Sequence, residues 1–488
     1  RSMNGNRPLL TYAQSRTLDL DTIAAGFTEQ QLMGQAAVAS VNCLLSDGTL
    51  DSHETILILC GKGNNGGDGY AIAWALIGAG FSSRVQIFAA EPPSSQSALF
   101  YRRMCEKHTP IQDLTHFAQK ASGPGDLILE CLLGSGQKGD LRPPYLESAM
   151  DIARACKRGA TLIAVDCPVG LIEERTASFG EELPLPDEVH CYGPIKLAAA
   201  LNVSLATGSL VRSLPIGFEP VESSAWLWDG PPVQFHKSSI DHKYSAGSAA
   251  ILGGEPGMEG AAILASDSFF AAGGGICEVL TTSAESRSRI LSARPSLMVR
   301  TLEEGIHVRA KAILAGPGIL LDDQKAAQIL RILSSVPTDT RVILDASTAE
   351  LVRDSRYPAL LKPGTMLTPH GGEWKKMGGQ LPDCVQAFEE SQAFARTLGV
   401  SVLVKGPVSV LFSAKTWIHS HPNPSLAVAG SGDCLGGIIL SSLSRGHEMA
   451  AGVLSSMDLL HEAVSGLTHP EAHEFAENIR RILSVTRA

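Results

Sequence analysis

Short apolar runs alternate with longer amphipathic stretches along most of this chain. In the N-terminal half the apolar runs lie at Ile56–Cys60, Val85–Ala89, Leu127–Leu132 and Leu162–Val165. In the C-terminal half they recur at Ala249–Leu252, Gly275–Leu280, Ala312–Ala315, Val342–Leu344, Gly364–Leu367 and Ser401–Val404. A short apolar run bounded by turn formers is typical of a buried parallel strand, and the stretches between the runs are long enough for helices. The alternation therefore predicts α/β architecture with two doubly wound, mainly parallel sheets.

The stretch Ser213–Gln234 interrupts this alternation and predicts a domain boundary. It contains Pro215, Pro220, Pro231 and Pro232 and has few periodic apolar positions. A chain of 488 residues is long enough for two domains. We therefore expect one domain over residues 1–220 and a second over residues 221–488. Upstream of the first apolar run, the spacing of apolar residues predicts helix throughout Thr11–Leu45.

Composition narrows the class of protein. A hydrophobic fraction of 44% with 18% charged residues predicts an ordinary globular protein with a sizeable core. The net charge of −10 argues against nucleic acid as a partner, because phosphate backbones are bound by clustered Lys and Arg. No apolar run would span a bilayer, and no basic-then-apolar leader opens the chain, so no membrane partner is expected. The 10 cysteines form no CxxC pair, which favours reduced thiols in a cytoplasm.

Three polar loops follow predicted strands of the first half. The glycine-rich loop Gly61–Gly69 precedes a predicted helix, Tyr70–Ile77, and does not match a Walker A motif. The second loop is Gly134–Asp140, and the third begins at Asp166. Because ligands of open α/β sheets bind at the carboxyl ends of strands, these loops predict one crevice. A purely structural alternative, in which Asp166 only caps a turn, stays open.

The second half carries the most specific signal, Asn423–Gly437. This stretch surrounds a single acid, Asp433, with glycines and runs into the apolar segment Ile438–Leu443. Glycine amides and a helix N-terminus favour bound phosphate, so Asp433 is a candidate base beside a phosphate. The alternative is a glycine-rich turn that only packs a helix against a sheet. Six further loops predict the same pocket: His242–Gly247, Gly253–Ala262, Gly316–Gly318, Asp345–Ser347, Thr368–Glu373 and Val404–Ser409.

These motifs resemble known families in both halves. The first half resembles the NAD(P)H-hydrate epimerase family through GKGNNGGDG, GSGQKGD and VDCPVG. The second resembles the ribokinase-like NAD(P)H-hydrate dehydratase family through HKYSAG, GMEGAA, GPG, LTPHGGE, VKGPVS and NPSLAVAGSGD. Together, over essentially the whole chain, they are similar to fused bacterial nicotinamide-nucleotide repair enzymes. The resemblance implies a Rossmann-like domain followed by a ribokinase-like domain.

The resemblance implies a role for each half. The second half would dehydrate the S hydrate of NADH or NADPH with ADP or ATP and Mg²⁺, Asp433 acting as the catalytic base. The first half would interconvert the R and S hydrates, with Asp166 as its catalytic residue and K⁺ alongside. The implied dehydratase contacts are Ala261, Gly318, His370 and Asp433 for the hydrate, and Lys405, Gly406, Pro407, Val408, Ser409 and Gly432 for the nucleotide. The implied epimerase contacts are Asn64, Asn65, Gly66, Gly67, Asp68, Gly134, Ser135, Gly136, Gln137, Lys138, Gly139, Asp140 and Asp166, with Asn65, Glu130 and Val169 at the potassium positions.

Several family residues are replaced in this chain. Glu130 and Val169 stand where the epimerase family has Asp and Ser, and Gly34 stands where it has an acid. Val169 offers no side-chain oxygen, whereas hard cations need oxygen ligands. We therefore predict that the first half binds a nicotinamide nucleotide but epimerises weakly or not at all. The second half departs from its family at Asp345–Glu350, which reads DASTAE, and at Ser296.

Two other functions fit the same sequence. The second half could be a ribokinase-type small-molecule kinase, with the first half as a binding module. Alternatively, the whole chain could be a non-catalytic sensor of nicotinamide or adenine nucleotides. A homo-oligomer is expected in each case.

Overall fold

The computed structural model describes residues 7–120, 123–218, 221–230, 233–236, 245–354 and 364–485. The chain divides into two compact units. We call Arg7–Leu227 with Pro382–Glu389 the N-terminal unit, and Trp228–Leu381 with Glu390–Ala488 the C-terminal unit. The start of the predicted HKYSAG loop, residues 242–244, lies outside the described residues. Across the described ranges, no helix has the length and apolar character needed to cross a membrane.

The N-terminal unit is built around a parallel sheet. Its strands are β1 (Arg7–Leu10), β2 (Thr55–Cys60), β3 (Val85–Ala89), β4 (Ile111–Gln112), β5 (Asp126–Cys131), β6 (Thr161–Val165), β7 (Glu188–Tyr192), β8 (Ile195–Lys196), β9 (Leu210–Leu214) and β10 (Ala225–Leu227). The sheet has the order β4-β3-β2-β5-β6-β7-β9, and all of its neighbouring strands are parallel. Strand β1 pairs outside this sheet, antiparallel with β10 and parallel with β8.

Helices cover both faces of this sheet. They are α1 (Tyr12–Ala24), α2 (Glu29–Ser46), α3 (Asn64–Leu76), α4 (Gln96–Glu106), α5 (Phe117–Lys120), α6 (Tyr145–Lys157), α7 (Leu197–Leu201) and α8 (Val203–Gly208). The alternate residues of β2 separate into two apolar clusters, with Ile56 and Ile58 in one and Leu57 and Leu59 in the other. A strand that is buried on both faces reads as a continuous apolar run, which is why its position was predictable.

The helical stretch predicted over Thr11–Leu45 is divided into two helices. Helix α1 ends at Ala24, and Gly26 follows with a φ of 117°. Thr28 then begins α2 with a capping box, in which its hydroxyl accepts from the Gln31 amide. The prediction of one continuous helix was wrong because a glycine in a left-handed conformation followed by a Thr cap ends one helix and begins another.

The C-terminal unit has a mixed sheet. Its strands are β11 (Ser248–Leu252), β12 (Ile276–Thr281), β13 (Met298–Thr301), β14 (Ala312–Ala315), β15 (Arg341–Leu344), β16 (Thr365–Leu367), β17 (Ser401–Val404), β18 (Ser409–Phe412) and β19 (Thr416–His419). They have the order β13-β12-β11-β14-β15-β16-β17-β18-β19, parallel from β13 to β17 and antiparallel in the hairpin β17-β18-β19. The doubly wound α/β prediction is confirmed for both units, while the antiparallel hairpin was not predicted.

The remaining helices follow these strands along the chain. They are α9 (Glu259–Ala271), α10 (Ala284–Ala293), α11 (Asp323–Ser335), α12 (Gly371–Lys376), α13 (Val385–Thr397), α14 (Ser431–Ser444), α15 (Met449–Val464) and α16 (Ala472–Val485). Helix α14 packs on α9, and the Cβ of any side chain at Gly437 would come within 2.0 Å of the Ala265 carbonyl oxygen. The absence of a side chain at Gly437 thus lets α14 lie close against α9.

Candidate functional site

A pocket of about 430 Å³ opens at the carboxyl edge of the sheet in the N-terminal unit. Its walls come from the loops after β2, β5 and β6, from β7 and β8, and from α1 and α2. The lining residues with charged or polar side chains are Ser15, Arg16, Asp19, Glu29, Lys62, Asn64, Asn65, Asp68, Ser135, Gln137, Asp166, Tyr192 and Lys196. The three loops that were predicted to converge do lie around one pocket.

Close backbone contacts join the loops after β2 and β5. A Cβ at Gly61 would lie 1.8 Å from the Leu132 carbonyl oxygen, and one at Gly66 would lie 1.8 Å from the Gly61 carbonyl oxygen. These two positions therefore exclude any side chain. Helix α3 begins at Asn64, inside the stretch that was predicted to be a loop, and not at Tyr70. Gly66 and Gly67, both predicted contacts, are not among the lining residues, and Gly67 packs against the side chains of Met33 and Ala98.

Asp166 and Lys196 form a buried ion pair in this pocket. Their carboxylate and ammonium groups are 2.9 Å apart, and Lys196 is only 2% exposed. Burial alone would lower the pKa of Lys196, but the charge of Asp166 raises it, so the lysine stays protonated. Asp166 has a φ of 62°, in a region that non-glycine residues rarely occupy. Such backbone strain is concentrated at functional sites.

Two further carboxyl groups face this pair. Burial raises the pKa of Asp19 to about 6, with Asp166 and Glu29 adding to the shift and Lys196 opposing it. Burial also raises the pKa of Asp68 well above its usual value. The pocket therefore holds carboxyl groups that can carry a proton near neutral pH, as acid–base chemistry requires.

The loop after β5 contributes only its first half to the pocket. Gly134, Ser135, Gly136 and Gln137 line it, and Gln137 holds the loop after β6 by accepting from the Gly170 amide at 2.6 Å. The other predicted contacts, Lys138, Gly139 and Asp140, are not among the lining residues. The exposed Asp140 is paired with Arg175 instead.

In the C-terminal unit, the loops after β15, β16 and β17 meet at Asp345. Its carboxylate accepts from Lys405 Nζ and from the Thr368 hydroxyl, both at 2.8 Å. A Cβ at Gly432 would lie 3.5 Å from Lys405 Nζ, so the N-terminus of α14 adjoins the same cluster. The structure thus brings together Lys405 and Gly432, two of the residues predicted to hold a nucleotide.

Asp433 lies in the first turn of α14. Gly430, with a φ of 91°, precedes the helix and turns the chain into it. Burial raises the pKa of Asp433 to about 6, the charge of Asp345 adds to the shift, and Lys405 opposes it. A carboxylate with this pKa can accept a proton at neutral pH, and the free amides of the helix N-terminus favour phosphate beside it.

The remaining predicted contacts of this unit fall into three places. His370 caps α12, its Nδ1 accepting from the Gly372 amide at 3.0 Å, and the ring is largely exposed. Ala261 and Gly318 are adjacent, since a Cβ at Gly318 would lie 3.0 Å from Ala261 Cβ. The Ser409 hydroxyl is buried and donates to the Gly406 carbonyl oxygen at 2.9 Å, so it closes its own turn. Pro407 and Val408 lie in that turn, Pro407 exposed and Val408 half-buried.

Comparison with known proteins covers both units. One family model, described as NAD(P)H-hydrate dehydratase, matches residues 249–482, and another, described as YjeF-related protein N-terminus, matches residues 29–197. The chain is 27% identical to the bifunctional NAD(P)H-hydrate repair enzyme Nnr of Coxiella burnetii over 90% of this chain and 91% of that protein. It is 28% identical to the enzyme of the same name from Escherichia coli, over 80% of this chain and 76% of that protein. The chain belongs to the bifunctional NAD(P)H-hydrate repair family.

One solved structure with a related description aligns with part of the chain. It is an ADP/ATP-dependent NAD(P)H-hydrate dehydratase from Bacillus subtilis, co-crystallised with ATP and Mg²⁺. The sequence identity is 25%, and the TM-score is 0.45 over 51% of this chain and 93% of that one.

The predicted potassium ligands of the repair family fit the ion poorly in this chain. Asn65 Oδ1 is buried without a hydrogen-bond partner, as a cation ligand would be. The Glu130 carboxylate, however, accepts from the Leu132 amide at 2.7 Å and from the Val169 amide at 2.8 Å. Burial raises the pKa of Glu130 to about 7, while these amides oppose the shift. Val169 directs an N–H group at Glu130, and the Glu130 carboxylate already accepts two amides. Two of the three predicted positions therefore offer no free oxygen, and the donor set does not fit K⁺.

A tyrosine from another helix occupies the space beside Gly34, where the family has an acid. A Cβ at Gly34 would lie 2.6 Å from the Tyr101 hydroxyl oxygen, and this hydroxyl donates to the Gln30 carbonyl oxygen at 3.1 Å. Gly34 lines a separate groove between α2 and α4, not the pocket that contains Asp166.

Sequence reasoning missed four residues of these sites. Lys196 belongs to a strand of two residues, and Asp19 to a stretch that carried no motif. Tyr192 ends a strand that was not predicted, and Asp345 was placed among the strand-end loops without a role. Only Asp345 had a usable signal, because it directly follows an apolar run as Asp166 does.

Proposed function

We propose that this chain repairs hydrated NADH and NADPH. Residues 221–488 would dehydrate the S hydrate with ADP or ATP, and residues 1–220 would interconvert the R and S hydrates. The observation that carries the proposal is Asp433, whose pKa is about 6, at the N-terminus of α14 beside the Lys405–Asp345 pair. This arrangement combines a general base with a phosphate-binding helix terminus.

The nucleotide would be held by backbone and one cation. Lys405, the turn Gly406–Ser409 and the amides at Gly432 surround the N-terminus of α14, a donor set that suits phosphate. When bound with Mg²⁺, ADP or ATP supplies a phosphoryl group that makes the hydrate hydroxyl a better leaving group. Lys405 would neutralise phosphate charge, and Asp345 would hold Lys405 in place through their 2.8 Å contact.

Asp433 would act on the hydrate itself. Its carboxylate would accept the proton of the hydrate hydroxyl, while Ala261, Gly318 and His370 would orient the nicotinamide ring. Because His370 Nδ1 accepts from backbone amides, the neutral ring carries its proton on the exposed Nε2 and can donate from there.

In the N-terminal unit, the acid–base groups would be Asp166, Lys196 and the carboxyl groups beside them. Inversion at a hydroxyl-bearing carbon needs a proton donor for the leaving oxygen and an acceptor for the incoming water. The Asp166–Lys196 pair and the protonated carboxyl groups can supply both. A cytoplasmic location and a homo-oligomeric state remain predictions.

One assay tests the proposal against its alternatives. Purified protein is mixed with hydrated NADH, Mg²⁺ and either ADP or ATP, and the absorbance of reduced nicotinamide is followed. Nucleotide-dependent recovery of NADH supports repair. A phosphorylated product without recovery would identify a kinase, and binding without any product would identify a sensor.

A further inference from the structure

Hydrogen-bonded side chains extend from the pocket of the N-terminal unit along one face of β7. Glu188, His190 and Tyr192 occupy alternate positions of this strand, so their side chains share a face. Helix α2 adds the Ser40 hydroxyl, which lies 2.9 Å from the Tyr192 hydroxyl oxygen and 3.1 Å from His190 Nδ1. His190 Nε2 is 2.9 Å from a Glu188 carboxylate oxygen. The contacts form one unbroken series from Tyr192 to Glu188.

The two ends of the series lie in different surroundings. Tyr192 lines the pocket that contains Asp166, at the carboxyl end of β7. Glu188 lies at the amino end of β7, four residues from Tyr192, which corresponds to roughly 13 Å along a strand. Its partly exposed side chain forms an ion pair with Arg212. Ser40 and His190 between them are each 1% exposed. The series therefore connects a pocket to the opposite edge of the sheet through the protein interior.

We propose that Tyr192, Ser40, His190 and Glu188 form a proton relay that serves the epimerase pocket. Tyr192 is the catalytic residue at the pocket end, and Ser40 and His190 are positioning residues that act through it. This inference rests on the function proposed above for residues 1–220.

The chemistry of each member suits proton transfer. A tyrosine hydroxyl, a serine hydroxyl and a neutral imidazole can each donate on one side and accept on the other, so a shift of every proton by one step leaves the series intact. Burial and the charge of Asp68 raise the pKa of Tyr192 well above its usual value, so its hydroxyl keeps its proton between transfers. Packing alone does not explain these hydroxyl groups, because apolar side chains could hold α2 against β7. Buried hydroxyl groups need hydrogen-bond partners, which apolar side chains do not.

A metal ion is a poorer occupant of the same cluster. Cys43, Glu188 and His190 lie close enough together to share an ion. The Arg212 guanidinium, however, binds the same Glu188 oxygen that accepts from His190. The positive charge of Arg212 opposes a bound cation there and favours the ionised form of Glu188. Burial alone would raise the pKa of Glu188, but His190 and Arg212 lower it below its usual value.

The reaction has a use for such a relay. Water adds to the reduced ring at the carbon that the ring nitrogen activates, so the hydroxyl lies next to this nitrogen. In epimerisation the C–O bond breaks as the oxygen takes up a proton and leaves as water, and the nitrogen lone pair forms a C=N bond. Water then adds to the other face and gives up a proton. The reaction consumes and releases one proton, so protons balance overall. The proton donor and the proton acceptor, however, lie on opposite faces of the nicotinamide ring, and each must regain its starting protonation state. A path for protons to solvent allows this.

A double-mutant cycle tests the relay in the full-length chain. We expect Tyr192→Phe to slow epimerisation of the R hydrate of NADH about 10²-fold and Ser40→Ala to slow it about 10-fold, through kcat and not KM. If Ser40 acts through Tyr192, the double variant is no slower than Tyr192→Phe alone. Ser148→Ala removes another buried helix hydroxyl, outside the series, and is the control, expected at wild-type rate. Multiplicative losses in the double variant, or no loss in Tyr192→Phe, would overturn the relay.

A spectroscopic measurement separates the relay from the proposed activity. The imidazole N–H resonance of His190, identified by its absence in His190→Gln, is followed while hydrated NADH is added. We expect a shift in the wild type that is lost in Tyr192→Phe and Ser40→Ala. Binding of the hydrate in the pocket of the N-terminal unit without a shift would overturn the relay even if epimerisation is measurable. A chain that does not bind the hydrate would overturn the proposed function and the relay together.

Discussion

At the scale of single residues, Asp433 shows how a helix terminus creates a base. The carboxyl group is partly withdrawn from water and faces a second carboxylate, Asp345, while Lys405 only partly offsets that charge. Both effects disfavour the ionised form and so raise its affinity for a proton. The same withdrawal costs folding free energy, because the unfolded chain solvates the carboxylate fully.

Asp433→Asn should abolish dehydration and stabilise the fold. We expect turnover of hydrated NADH to fall by about 10²- to 10⁴-fold, because the amide cannot accept the proton, while nucleotide binding largely persists. Since the folded pKa is about 6 and the usual value is 3.8, ionisation destabilises the wild type at pH above about 6, and this effect disappears as the pH falls toward 4. The variant should therefore gain up to about 3 kcal/mol of unfolding free energy near pH 7.5 and progressively less in acid. Near-normal turnover would show that Asp433 is not the base.

The pH profile of dehydration should report the same group. We expect kcat to fall on the acid side with an apparent pKa near 6, because protonated Asp433 cannot act as a base. Asp345→Asn removes the neighbouring negative charge and leaves Lys405, so it should move this limb to lower pH. Asp323→Asn, a change at an exposed acid of the same unit, should leave the limb in place. An unchanged limb in Asp345→Asn would contradict the assignment.

Lys405→Ala should weaken nucleotide binding. A charge-assisted contact to phosphate contributes about 1.5–3 kcal/mol, so titration calorimetry with ADP or ATP should show about 10- to 100-fold lower affinity. Lys376→Ala, which changes an exposed lysine on α12, is the matched control and should bind as the wild type does. Equal affinities for Lys405→Ala and the wild type would remove Lys405 from the nucleotide site.

At the scale of elements, the sequence predicted what local patterns determine. Strands such as β2 and β14 are buried on both faces, and their apolar runs marked them within a residue of their bounds. The loops after them were predictable because strand ends of a parallel sheet share an edge. Lys196 and Tyr101 were not predictable, since their positions depend on pairing and packing between distant segments. Gly26 and Thr28 are sequence signals for a break between α1 and α2. The apolar periodicity continues on both sides of them, and for this reason a single helix was predicted.

The loops after β5 and β6 are joined by Glu130, and this predicts the response to potassium. Since the Glu130 carboxylate already accepts two backbone amides, we expect slow epimerisation by the wild type that K⁺ does not stimulate relative to Na⁺. Glu130→Asp combined with Val169→Ser should restore oxygen ligands beside Asn65 and make the rate depend on K⁺. Rates with each cation, measured for both proteins at constant ionic strength, decide the question. Strong stimulation of the wild type by K⁺ would show that the ion site is intact.

At the scale of the whole molecule, both units support their sites in the same way. In the N-terminal unit, Gly61 lies against the Leu132 carbonyl oxygen. In the C-terminal unit, a Cβ at Gly253 would lie 2.0 Å from the Pro317 carbonyl oxygen, and one at Gly316 would lie 2.1 Å from the Asp345 carbonyl oxygen. In each case neighbouring strand ends meet backbone to backbone, with no space for a side chain between them.

This backbone packing determines how the protein can diverge. Val169 can be exchanged without loss of its contact to Glu130, because its backbone amide makes that contact, and the space beside Gly34 is filled by the Tyr101 hydroxyl. Substitution at Gly61 or Gly253 would instead displace a strand end and every loop attached to it. Related proteins can therefore lose an ion site or change their substrate while they keep the cleft. We expect these glycines to be retained in relatives whose chemistry has changed.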